Sequence, residues 1–187
     1  MKHACWVALL LAACGGPLPQ ESYYTLSSPQ SPPAADAASP LSVYVGPVTV
    51  PESVDRTNLV LSVSPNQVEI SDALRWAEPL KTAIARVLAE TLSRELRTPH
   101  VFANRAGAIG PVDYRVAIEV QRFESSLETG ATIVAAWSIT PTRKGLEPRS
   151  GRSVVHEALP TRDAQGLAAA HSRALEKIAR EIAAAIR

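Results

Sequence analysis

Apolar and polar residues alternate with a period of two along the second half of the chain. Tyr114, Val116, Ile118 and Val120 fall on one side and Asp113, Arg115, Glu119 and Gln121 on the other, so residues 112–123 predict a strand with one apolar face. Ile133, Ala135, Trp137 and Ile139 repeat the pattern after a turn near Thr129-Gly130. A third strand over 152–157 follows Arg143-Lys144-Gly145. Upstream, Val43, Val45 and Val48 predict a short strand broken near Gly46-Pro47. Residues 59–63 and 68–70 flank Ser64-Pro65-Asn66-Gln67, which has the residue types of a hairpin turn. Such alternation implies a sheet covered on one face and wet on the other, an antiparallel meander.

The period changes to three and four in two places. Leu80, Ile84, Val87, Leu88, Leu92 and Leu96 form one stripe, with Pro79 suited to the first helical turn and Pro99 just beyond the end. Leu167, His171, Ala174, Leu175, Ile178, Ile182 and Ile186 form the other, in a helix from an Asp163 N-cap to Arg187. Glu176–Arg180 and Lys177–Glu181 are opposite charges four apart, each worth a few tenths of a kcal/mol. The predicted fold is α+β, a two-layer sandwich of a mostly antiparallel sheet with two amphipathic helices packed on one face.

The N-terminus follows neither period. A basic start (Met1, Lys2, His3) precedes an apolar run from Ala4 to Leu11, too short for a membrane span of about 20 residues but suited to an export signal. Leu11-Ala12-Ala13-Cys14 resembles a bacterial lipobox, in which the cysteine thiol takes a diacylglycerol, the chain is cut before it, and the new amine is usually acylated. Residues 1–13 then form a signal peptide. Residues 14–40 form a lipidated N-terminus and a Pro/Ser/Ala-rich tether, and 41–187 a folded domain. The 26 residues between Cys14 and Leu41 extend roughly 80 Å in a polyproline-like state. Tyr23-Tyr24-Thr25-Leu26 interrupts that tether with strand-forming residues and suggests an added edge strand over 22–26.

Charge and candidate chemistry narrow the function. The 19 basic and 18 acidic groups become 18 of each once Lys2 leaves with the signal, so no diffuse basic field invites nucleic acid. Cys5 leaves with the signal and Cys14 carries lipid, which leaves no disulfide or free thiol. His100, His156 and His171 have no second metal ligand at helical or strand spacing. His171, near the apolar stripe, reads as a hydrogen-bonded, half-buried core imidazole. No G-x-S-x-G elbow, P-loop or H-E-x-x-H motif occurs. Gly107-Ala108-Ile109-Gly110 reads as a loop, and Glu119 and Glu128 as solvated side chains. The expectation is a non-enzyme without cofactor or metal, its only added group the lipid on Cys14.

Tyr23-Tyr24-Thr25-Leu26, Val45-Gly46-Pro47-Val48, Val54-Asp55-Arg56-Thr57-Asn58-Leu59-Val60 and Trp76-Ala77-Glu78-Pro79-Leu80 stand in an order that resembles PqiC-type lipoproteins, the ABC-type transport auxiliary lipoprotein family. Arg122-Phe123-Glu124, Trp137 and the alanine-rich last helix extend the likeness to the C-terminus. The resemblance implies a periplasmic lipoprotein on the outer membrane. It would dock an MCE-domain protein of a system that moves lipids or other hydrophobic molecules and helps maintain envelope integrity. Gly15, rather than aspartate, after Cys14 favours the outer membrane. A ring of identical subunits would suit docking on a tubular MCE assembly.

The motif residues Asp55, Arg56, Trp76, Glu78 and Pro79 are candidates for a partner surface, each with a local alternative. Trp76 serves either as an interface anchor or as packing under the helix entrance. Asp55 and Arg56 suggest a local salt bridge, and Glu78 suits the positive end of the first helix. The rival readings are an assembly or plug factor for an outer-membrane β-barrel, a periplasmic hydrolase, and direct lipid carriage between helices and sheet.

Overall fold

The structure, a computed structural model, describes residues 20–28, 39–103 and 111–187. The signal-like segment, Cys14, most of the proline-rich stretch and the Gly107–Gly110 loop lie outside those residues. The longest strand, β6 (Tyr114–Ser126), is the spine of an eight-stranded sheet. On one edge it pairs antiparallel with β7 (Gly130–Pro141) from Tyr114↔Pro141 to Ser126↔Gly130, and β7 pairs antiparallel with β8 (Arg149–Glu157).

Two strands share the other edge of β6. β2 (Val43–Thr49) runs parallel beside its first half, and β3 (Asn58–Ser64) meets it in parallel at Leu61↔Ser125. β4 (Gln67–Trp76) returns antiparallel to β3, β1 (Ser22–Tyr24) lies parallel to the end of β4, and β5 (Val101–Ala103) lies parallel to β2. The sheet is therefore mixed. The antiparallel ladders join strands that follow one another through short turns, which local alternation detects. The parallel ones join strands separated by tens of residues, which it does not.

Two irregularities keep apolar residues on the core face. In β2, Val45↔Val116 is followed by Val48↔Ile118, so the extra residue at Gly46-Pro47 is a bulge rather than a break. In β6, Val120↔Ala135 is followed by Arg122↔Val134. Gln121 and Arg122 are both exposed, and Phe123 and Ser125 return to the core side.

Both helices cover that side, as predicted. α1 (Leu80–Glu95) buries Leu80, Ile84, Val87, Leu88 and Leu92, and Pro79 stands at its N-cap, one position before the predicted first turn. Its end is a Schellman arrangement: the Thr98 amide donates to the Ser93 carbonyl (3.0 Å) and the Arg97 amide to the Arg94 carbonyl (3.2 Å), with Arg97 at φ 53°. α2 (Ala164–Ile186) buries every residue of its predicted stripe. The Asp163 carboxylate accepts from the Gly166 amide at 2.6 Å, and that bond, followed by one from Thr161, holds its pKa below the ordinary value.

Of the two charge pairs expected on α2, Glu176–Arg180 forms at 3.7 Å. Lys177 instead lies 2.5 Å from Glu157 on β8, and Glu181 accepts from Ser153. The buried Glu157 is the stronger partner because less water competes for its charge.

The β6–β7 hairpin depends on Gly130. Its φ is +114°, and a Cβ there would sit 2.2 Å from the Glu157 carbonyl oxygen. Gly145 has φ +88° with nothing within 4 Å of the same position. Gly130→Ala is expected to cost about 2–3 kcal/mol and Gly145→Ala about 1 kcal/mol, read from urea unfolding curves. Equal losses would show that the clash with β8 is relieved at no cost.

Candidate functional site

Three motif segments, distant in sequence, meet at the entrance to α1. The Ala77 amide donates to the Tyr24 carbonyl at 2.8 Å, and the Trp76 amide donates to the Thr57 carbonyl at 2.6 Å. The end of β4 is thereby tied to β1 on one side and to the Asp-Arg turn on the other. Leu26, just past β1, is fully buried. The folded sheet thus includes residues upstream of Leu41, within the stretch predicted as tether.

Asp55 and Arg56 do not pair with each other. The Val54 and Asp55 amides both donate to the Pro51 carbonyl, closing a turn that aims Asp55 at α1. Its carboxylate lies 2.6 Å from Lys81 Nζ, while the Arg56 side chain is exposed. Glu78 stands before the helix start and pairs with Arg86 at 2.5 Å. Arg86 also donates to the Leu26 carbonyl at 2.8 Å and reaches Glu90 at 3.4 Å. One guanidinium thus binds the helix, the motif glutamate and the N-terminal segment together. Its fork of donors suits that geometry, which a lysine could not reproduce. Pro79 takes part through its carbonyl, which accepts from the Thr82 and Ala83 amides.

Trp76 points inward and is only 5% exposed. Its ring meets Phe123 edge-on at 6.2 Å and His171 edge-on at 6.3 Å, and Phe123 and His171 stack at 3.8 Å. This arrangement corresponds to packing under the helix entrance.

His171 is fully buried rather than half-buried, because Phe123 and Trp76 close over it. Its Nε2 lies 2.8 Å from Ser125 Oγ, while Nδ1 has no hydrogen-bond partner. Burial lowers its pKa to about 3, so the ring is neutral at pH 7. A serine and a histidine are thus within bonding distance, yet both are sealed from solvent, and no carboxylate orients the free ring nitrogen. Nucleophilic catalysis needs substrate access and a base that is effective near neutrality, and this pair has neither.

A cleft of about 650 Å³ opens between the β3–β4 and β6–β7 hairpins, with Val54, Val60, Val63, Val68, Phe123 and Thr132 in its lining. Ser125 and His171 are not part of that lining. Among the described residues no acidic, histidine or cysteine cluster could hold a metal ion, and no helix is long and apolar enough to cross a membrane.

Sequence reasoning missed Arg86 and the Glu157 pair with Arg173 (3.0 Å) and Lys177. A signal for the second existed. Ser153, Val155 and Glu157 share the inward parity of β8, and Arg173 and Lys177 are four apart on α2. Burial works against ionisation of Glu157, but hydrogen bonds and charge from Lys177 and Arg173 outweigh it, and its pKa lies below the ordinary value.

Fold and junction define a two-layer α+β module whose motif residues, Arg56 apart, are engaged in contacts within the module. The same layout occurs in an uncharacterised protein known from its crystal structure, with TM-score 0.69 and 18% identity over 90% of this chain and 99% of that one. It occurs too in a Xanthomonas campestris protein of family DUF330, with TM-score 0.61 and 16% identity over 87% and 92% of the two chains. No curated protein matches the sequence. The chain belongs to the family of ABC-type transport auxiliary lipoprotein components, whose sequence profile matches residues 24–183.

Proposed function

We propose that this chain is a non-enzymatic lipoprotein of the outer membrane, facing the periplasm. It docks the MCE-domain component of a system that moves lipids or other hydrophobic molecules across the envelope. The observation that carries this reading is the match of residues 24–183 to a transport auxiliary lipoprotein family, in a chain with Cys14 in lipobox context. The inward-turned Ser125–His171 pair supports a binding rather than a chemical role. Gly15 supports the outer over the inner membrane.

In cells fed an alkyne fatty acid, the wild-type protein is expected to take label and Cys14→Ser to take none and leave the membrane fraction. A Cys14→Ser protein that still takes label would falsify the anchor. Photo-crosslinking groups at the exposed positions Arg56, Glu90 and Arg180 test docking. An MCE-domain protein captured from at least one of them is the expected result. Failure at all three, with the protein normally anchored, removes the docking role.

A further inference from the structure

The β3–β4 hairpin carries exposed apolar side chains on either side of its turn. Val63 and Val68 are 55% exposed and Ile70 is 45% exposed, and residues 57–68 contain no ionisable side chain. Glu69 and Glu128 are exposed at this end, and Arg122 and Glu124 line the cleft beside the hairpin. Exposed apolar side chains grouped on one arm without ionisable groups suit contact with an apolar neighbour.

The direction of β1 connects that tip to the N-terminus. β1 is parallel to β4, with Ser22 opposite Leu74, so the chain preceding Ser22 comes from the side of Gln67. Cys14 is eight residues before Ser22, and Asn66, in the hairpin turn, is eight before Leu74. Each span covers roughly 26 Å as extended chain. The Tyr24 carbonyl accepts from Ala77, so even-numbered residues turn their backbone groups toward β4.

We propose that the tip of the β3–β4 hairpin is a second membrane contact, with Val63 and Val68 resting in the lipid surface that holds the acylated Cys14. The occupant is the interfacial layer of a bilayer. The eight-residue leash cannot carry Cys14 more than about 29 Å from Ser22, and it leads to the end of the sheet where the exposed valines lie. Two contacts also fix orientation, which a single anchor does not. The β7–β8 turn at Lys144 then faces away from the membrane, because it lies at the opposite end of the 13-residue spine β6. This proposal rests on the lipidation of Cys14.

The test uses the full lipidated protein in vesicles of phosphatidylethanolamine and phosphatidylglycerol containing nitroxide-labelled lipid. Val68→Cys and Lys144→Cys each introduce a single free thiol for a fluorophore, since Cys14 is acylated. Flotation with the vesicles reports the anchor, and quenching reports the contact. Quenching at position 68 is expected to exceed that at 144 severalfold, and adding Val63→Asp to the 68-labelled protein should reduce it severalfold. Flotation with equal quenching at both sites overturns the contact while leaving the anchor intact. Energy transfer between labelled copies in place of quenching assigns the tip to a second copy and also overturns it. Loss of flotation by the unsubstituted protein overturns the anchor, and the contact with it.

Discussion

Lowering the pH from 6.5 to about 3 is expected to remove on the order of 4–5 kcal/mol of folding stability through His171 alone. The sign follows from proton counts. In the unfolded chain the imidazole protonates below its ordinary value of 6.5, while in the folded chain burial withholds the proton until about pH 3. Between those values the unfolded state binds more protons, so its share grows as pH falls, at up to about 1.4 kcal/mol per pH unit. The contribution is whole above 6.5 and gone near 3. Glu157 acts in the same direction, since its lowered pKa favours the folded state at neutral pH and that advantage disappears in acid. Domain stabilities are only about 5–15 kcal/mol, so acid alone should populate unfolded chains.

Urea denaturation across this pH range provides the measurement, with His171→Phe as the comparison. Phenylalanine keeps the stack on Phe123 but leaves Ser125 Oγ without its partner, at a cost of about 1–3 kcal/mol that does not depend on pH. The informative quantity is therefore the slope of stability against pH. It should flatten in the variant, and an unchanged slope would show that His171 is not the group withholding its proton.

Trp76→Ala is expected to lower stability by about 3–5 kcal/mol, the range for a buried large aromatic. Two edge-on ring contacts disappear, and the void opens beside the buried His171. Trp76→Phe should lose less, because it keeps an aromatic edge and part of the volume. Chemical denaturation of the three proteins separates the cases. A Trp76→Ala protein as stable as the wild type but unable to capture a partner would make this residue an interface anchor and contradict its place in the core.

Much of this architecture is legible in one dimension. The period-two runs locate β6, β7 and β8, the turn chemistry at 64–67 locates the β3–β4 hairpin, and the two stripes locate α1 and α2 to within a residue or two. Each depends on neighbours a few positions apart, where side-chain direction follows directly from backbone geometry. The N-cap at Asp163 was likewise readable, because its partner is three residues away. The lipobox at residues 11–14 is a local pattern of the same kind, and the lipidation of Cys14 that we propose rests on it alone.

Pairings between distant segments were decided only in three dimensions. Parallel contacts of β6 with β2 and β3, the meeting of Tyr24, Thr57 and Ala77, and the pairing of Asp55 with Lys81 rather than Arg56 all join residues that no periodicity relates. Burial works the same way: the stripe turns His171 inward, but its complete enclosure depends on Phe123 from a bulged strand and Trp76 from another. The amphipathic pattern alone determined which residues face inward. What they face depended on the packing of the whole chain, because contact energies between remote segments enter only once the backbone has closed on itself.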